Sequence, residues 1–251
     1  MLSKELIKNI NEMNFSFSIE NWFALSSGLS SKDDWFLWSQ QLEHDWSLPL
    51  PKSNKLPMMQ VRRMSTSSRL AVEVGLELIN NNSVDLAIFT SRHGELERTY
   101  KILSELNQNN EISPTDFALS VHNTTAGLLT IVANQTVPIT SLSAHNDSFH
   151  QGLIEALPLL NQSNKKILLI DFDGIVPKFY QTAIKQLVPI YAVGYILTSG
   201  NEFSCKSIEK TSKVYKSDYP QSLAFLHAYL NKQKQFIVQG NVQDWQWIIN
   251  L

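Results

Sequence analysis

The sequence predicts an α/β domain, one sheet with helices on both faces. The first reason is a set of short segments carrying consecutive apolar residues, the pattern of strands buried on both sides. Lys166-Ile167-Leu168-Leu169-Ile170-Asp171 is one and residues 191–198 are another. The second is that such runs alternate with segments whose apolar residues recur every three or four positions, and alternating strands and helices build a layered sheet.

From the amino end, residues 1–14 read as a polar lead-in, and Phe15 to Leu25 alternates with the period of two expected of a strand. Trp35, Trp38 and Trp46 mark an aromatic section, and Pro49, Pro51 and Pro57 make residues 47–58 an irregular surface connection. Residues 65–80 read as an amphipathic helix with Leu70, Val74, Leu76 and Leu78 on or near one face, and 84–90 as a buried strand. Residues 95–106, 115–121 and 123–134 read as helices. A short strand at 139–142 then meets a turn rich in N-cap residues, Asn146, Asp147 and Ser148. Phe149, Leu153, Ile154 and Leu157 follow at helical spacing. The two buried strands come next, then a helix at 222–230 and a strand at 235–238. With no internal repeat, a single domain over residues 1–251 is expected, with residues 200–251 as a C-terminal extension.

Composition narrows the functional classes. Of 251 residues, 43% are hydrophobic and 18% charged, as in ordinary soluble proteins. The net charge of −2 argues for neither nucleic acid nor anionic membrane as partner. The single cysteine, Cys205, excludes an intrachain disulfide and fits a reducing compartment. The first fifteen residues are too polar for a secretory signal, and the apolar runs are too short to cross a bilayer. A cytoplasmic protein without membrane insertion is expected.

The stretch from Ile139 to Leu160 is a strand, a sharp turn and a helix, a geometry that often presents a nucleophile. A thiol there would ionise easily against the positive helix end, but the turn residue is His145. Ser143-Ala144-His145-Asn146-Asp147 resembles the Thr-Ala-Cys-Ser-Ser active-site elbow of β-ketoacyl synthases. Upstream, the run from Ser120 to Gly127, with Asn123, Ala126 and Gly127, resembles the Asn…Ala-Gly helix preceding that elbow. The runs Leu56–Ser65, Thr90–Glu95 and Phe17–Trp22 are similar to a narrower group, the short ketosynthase-like chain-length-factor proteins of aryl polyene clusters. The likeness spans residues 15–173 and extends toward 199.

The resemblance implies a thiolase-like, layered α-β-α fold represented by one half, without the second repeat. It also implies a non-catalytic chain-length factor that pairs with an active β-ketoacyl synthase. That factor would shape the pocket limiting an acyl or polyene chain carried by an acyl carrier protein. His145 then stands at a vacated nucleophile position, with no catalytic residue in this chain. Asp116, Phe117, Ser120, Val121, His122 and Asn123 fall where ketosynthases make their two-fold contact and reach the neighbour's acyl pocket.

Other readings stay open. His145 could be a packed elbow histidine, or serve a stand-alone acyl-thioester transferase or hydrolase, with Ser143 and Asp147 completing a triad on paper. The chain could also simply bind acyl groups or carrier protein. Arg92, His93 and Glu95 sit at a strand end, where α/β sheets place function, yet suit a cap and salt bridge equally. Arg62 and Arg63 could anchor a partner or simply be solvated. Asp171-Phe172-Asp173 has the spacing of a Mg²⁺ site, as does any acidic turn after a buried strand. The six histidines show no metal-ligand spacing and no nucleotide-binding loop occurs, so neither metal nor cofactor is expected.

Overall fold

The computed structural model describes residues 13–53, 55–80, 82–184, 189–210 and 219–250. Its strands are β1 (Asn14–Ser26), β2 (Leu86–Thr90), β3 (Ile139–Leu142), β4 (Lys166–Asp173), β5 (Tyr191–Glu209), β6 (Gln235–Val238) and β7 (Gln243–Ile249). The helices are α1 (Lys32–Gln40), α2 (Met58–Val61), α3 (Thr66–Ile79), α4 (Leu96–Asn107) and α5 (Pro114–Ala118). They continue with α6 (Thr124–Ala133), α7 (Ser148–Leu160), α8 (Lys178–Gln181) and α9 (Gln221–Leu230).

All seven strands form one sheet in the order β3-β2-β4-β5-β7-β6, with β1 on the other flank of β5. β2 runs parallel to β3 and β4, whereas β5 is antiparallel to β4, β1 and β7. The first half of β5 lies between β4 and β1. Its second half lies between β7 and β1.

Alternation across the pleat sorts the core into two layers. Ile167, Leu169, Val193 and Tyr195 face a layer with Phe149 and Leu153 of α7 and Leu223 of α9. Leu168, Ile170, Ala192 and Ile196 face the opposite layer, with Leu70 and Val74 of α3 and Leu129 of α6. The continuous apolar runs thus serve two cores at once. In β1 the parity changes midway: Phe15 and Phe17 share the first layer with Trp22 and Ala24. A register shift between Ile19 and Asn21 leaves residue 20 unpaired, which puts these even-numbered residues on the face of the odd-numbered ones.

Several elements differ from expectation. The strand expected at 191–198 continues to Glu209, where Phe203 and Cys205 pair with Ile249 and Trp247 of β7. The helix expected at 115–121 ends at Ala118. α1 was not expected, although Ser31 and Asp34 form its capping box: Asp34 N–H donates to Ser31 Oγ (3.2 Å) and Ser31 N–H to Asp34 Oδ2 (2.9 Å). Most of the lead-in, residues 1–12, lies outside the described residues.

Two close approaches set the layer spacing. A Cβ on Gly194 would come within 2.7 Å of Val74 and Leu78 in α3, and one on Gly152 within 2.5 Å of Thr90 and 2.8 Å of Leu169. Gly152 therefore brings α7 down onto β2 and β4. Gly152→Val should cost about 2 kcal/mol, because overpacking outweighs the small gain in helix propensity. Urea unfolding of the variant measures this.

Candidate functional site

The elbow follows directly from β3. Ser143 and Ala144 lead into a single 3₁₀ turn, His145–Asp147, and α7 begins at Ser148. His145 has φ of 56°, in the left-handed region that non-glycine residues seldom adopt. Ser148 holds this conformation: its Oγ accepts from Ala144 N–H (3.0 Å) and donates to the His145 carbonyl (2.8 Å). Asn146, Asp147 and Ser148 were expected as caps. Asp147 does occupy the N-cap position of α7, but it makes no side-chain capping bond. Its carboxylate accepts instead from Asn241 N–H (2.9 Å) and from Gln221 Nε2 (2.8 Å).

Other segments converge on the exposed His145 ring. Arg92 Nη2 lies 3.3 Å from His145 Nε2, and a guanidinium can only donate, so this nitrogen accepts. His93 donates its N–H to Asp173 Oδ1 (2.9 Å), and its buried Nε2 has no partner among the described residues. Burial, with Arg92 and His145 nearby, pulls the His93 pKa down to about 4. His122 Nε2 sits 3.3 Å from the Ser91 carbonyl, and its ring packs on Gly94. Thus Arg92, His93, His122 and His145, scattered in sequence, meet at the ends of β2 and β3.

Beneath them lie two buried carboxylates. Asp171 accepts from Thr90 Oγ1 (2.5 Å), Tyr191 OH (2.7 Å) and Ser222 Oγ. Asp173 accepts from Ser91 Oγ (2.7 Å) and the His93 N–H. Desolvation raises both pKa values to about 6, against the stabilising pull of those donors. Hydroxyls and amides occupy these oxygens, and no group of three metal-ligating side chains occurs among the described residues. The Mg²⁺ reading of this pair gains no support from such a donor set.

A polar cleft of about 200 Å³ opens beside the elbow, bounded by Arg92, His145, Tyr191, Lys210, Gln221 and Asn241. Its far wall comes from the last third of the chain, which the sequence had left without a functional reading. His150, fully buried, stacks on Trp245 with centroids 4.5 Å apart. Its Nδ1 lies 2.7 Å from Gln221 Oε1, and Trp247 Nε1 donates to its Nε2 (3.2 Å). Burial drives its pKa down to about 3. Gln221 passes the connection on to Asp147, so a chain of hydrogen bonds ties β7 and α9 to the elbow. The sequence signals for this wall are faint: a histidine near the start of the elbow helix and the late pair Trp245 and Trp247.

The remaining expected residues lie elsewhere. Ser143 Oγ donates to the Arg92 carbonyl (3.3 Å), so Ser143, His145 and Asp147 turn to three different partners and form no hydrogen-bonded triad. Glu95 is buried and accepts from Ser65 Oγ (2.9 Å) and from Ser68 Oγ, joining the start of α4 to that of α3. Arg62 and Arg63 are exposed, and the Arg63 carbonyl accepts from Arg98 (2.9 Å). Asp116 is gripped by Arg98 (2.6 Å) and Lys101 (2.7 Å). That grip fixes α5, from which Phe117 projects 66% exposed. Ser120 bonds back to the Phe117 carbonyl (2.8 Å), while Val121 and Asn123 face solvent. Cys205 is buried in β5, where desolvation raises its thiol pKa well above the usual range, so it is no reactive thiolate.

A single sheet covered on both faces, with a strand–turn–helix elbow after β3, is the thiolase-like fold of ketosynthases. The chain belongs to the β-ketoacyl synthase family: residues 35–248 match the β-ketoacyl synthase N-terminal domain. It is 44% identical, with a TM-score of 0.87, to a chain in the complex of a ketosynthase (ApeO) with its chain length factor (ApeC) from Xenorhabdus doucetiae. The match covers 93% of this chain and 99% of that one. Two distant structures share the fold. One is the ishigamide ketosynthase/chain length factor, 14% identical, TM-score 0.61, covering 79% of this chain and 69% of that one. The other is a β-ketoacyl synthase from Burkholderia phymatum, 12% identical, TM-score 0.56, covering 87% and 71%. Among curated proteins, no sequence matches the chain. No helix among the described residues is long and apolar enough to cross a membrane.

Two outcomes test the site. With its folded pKa raised above that of the unfolded chain, Asp171 stabilises the protein when protonated, and this contribution is lost as pH rises through about 6. Between pH 4 and pH 7 the stability of Asp171→Asn relative to the unsubstituted protein should therefore improve by about 3 kcal/mol, read by urea unfolding at each pH. Glu95→Ala should cost about 3 kcal/mol in urea unfolding, because it removes the acceptor of the buried Ser68 and half-buried Ser65 hydroxyls and opens a cavity.

Proposed function

We propose that the protein is a chain-length factor that performs no chemistry itself and pairs with an active β-ketoacyl synthase. What supports this reading is the elbow: its strand, turn and helix are formed, and the resemblance puts His145 at the position where a ketosynthase has its thiol. An imidazole there would need a base or an orienting carboxylate, and Ser143 and Asp147 are committed to other partners. The similarity to a chain of a ketosynthase–chain-length-factor complex supports the same reading.

The partner would seat along the edge of β3, unpaired among the described residues, and the face formed by α5 and α6. Phe117, Val121, Ile131 and Ile139 are exposed there, at 66%, 49%, 69% and 36%. Such apolar side chains beside an unpaired strand edge are what an obligate interface covers. The control of length is steric. Phe117 and His122 would bound a pocket whose cysteine belongs to the partner and whose substrate arrives on an acyl carrier protein, with His145 closing its floor. The rival reading, acyl transfer by His145 in the isolated chain, predicts thioester turnover that His145→Ala abolishes.

The expected outcome is co-purification with the ketosynthase, lost on Val121→Asp and Phe117→Asp and kept on His145→Ala. In the reconstituted system Phe117→Ala should shift the product-length distribution, read by mass spectrometry. Thioester cleavage or condensation by the purified chain alone would overturn the proposal.

A further inference from the structure

Phe117 stands on a helix with little of its own to hold it in place. α5 is five residues long and none of them is buried, whereas a helix needs about twelve residues to be stable alone. Its cap is local: Pro114 opens it, and Asp116 N–H donates to Ser113 Oγ (3.3 Å). Its backbone bonds stay within residues 113–120 and so give it no fixed place relative to the sheet. It packs on α4. Among the described residues, Asp116 is the one side chain of α5 that is hydrogen-bonded outside this segment, and both its partners are on α4.

Those two partners are unequal. Lys101 reaches Asp116 from a side chain 60% exposed, where water screens an ion pair and side-chain freedom opposes it. The Arg98 side chain is 13% exposed and touches three segments at once. Its Nη1 donates to Asp116 Oδ1 (2.6 Å) and its Nη2 to the Arg63 carbonyl between α2 and α3 (2.9 Å), while its Nε lies 3.5 Å from Glu95 Oε2. Glu95 is itself fixed by Ser65 and Ser68 at the start of α3, and Ser68 Oγ lies 2.6 Å from Thr125 Oγ1 on α6. A guanidinium carries its donors in one rigid plane, so a shift toward one acceptor costs the others. We propose that Arg98 is the positioning residue for the length-setting wall, transmitting the placement of α3 and α6 through Asp116 to Phe117; the proposal rests on the chain-length reading above. Arg98 itself touches no acyl chain in this scheme. It decides where the ring of Phe117 stands, and so where the pocket ends.

The test uses the full chain reconstituted with its ketosynthase and carrier protein, with product lengths read by mass spectrometry. Arg98→Lys keeps the charge and loses the fork. This variant and Asp116→Ala should both move the distribution in the direction that Phe117→Ala moves it. The ratio of the two main lengths should change at least about tenfold, the low end of what a missing pocket contact gives. Asp116→Ala leaves Arg98 on Glu95 and keeps the Ser113 cap, which uses only the Asp116 backbone, so it decides the matter where Arg98→Lys fails to fold or pair. In a Phe117→Ala background neither substitution should change the distribution further. General loss of structure would not give that result, since it lowers the yield at every length alike. Unchanged lengths in Asp116→Ala while Phe117→Ala shifts them, or shifts that add in the double variants, would overturn the positioning role and leave the chain-length reading standing. Lengths unchanged by Phe117→Ala as well would overturn that reading, and this proposal with it.

Discussion

Strand β5 is the constraint on which the rest of the molecule depends. It runs for nineteen residues, pairs with β1 on one flank along most of its length, and on the other changes partner from β4 to β7. The first half joins the parallel strands that carry the elbow. The second half holds β7 and β6, and with them the loop that delivers Gly240 and Asn241 to Asp147. A strand ending at Thr198 would leave the elbow cleft with one wall. Because β5 is antiparallel to both neighbours, the C-terminal third returns to the edge of the site.

The chemistry of the site is governed by desolvation. His93 and His150 are driven toward the neutral form, and the Asp171 and Asp173 carboxyls are driven the same way. Hydroxyls and backbone amides, not cations, satisfy the two carboxylates. Such a network rigidifies the ends of β2 and β4, while Ser148 holds the left-handed turn at His145 against its steric cost. Rigidity at that point suits a part that shapes space more than one that moves protons.

The strands buried on both faces and the amphipathic helices were legible because burial leaves a periodic mark in the chain. Val74 and Leu70 on α3, and the alternating sides of Ile167 to Ile170, follow from that mark alone. α1 was missed since its outward face also carries Phe36 and Leu37, exposed at 48% and 59%, which blur the helical period. The continuation of β5 was missed because Ser199, Gly200 and Asn201 interrupt the apolar run. What carries the strand through them is pairing with Phe17 and with Ile249, some 180 and 50 residues away in the chain.

The sequence by itself determined the layered α/β class, the elbow and the histidine in it, because those features are local: a strand run, a cap-rich turn, one residue type. Only the tertiary structure decided which groups surround that histidine. Arg92, His122, Asp173, Gln221 and Asn241 come from five separate segments, and no local spacing encodes their approach. Their meeting depends on strand order and on the change of β5's partner from β4 to β7, both set by contacts between residues far apart in the chain.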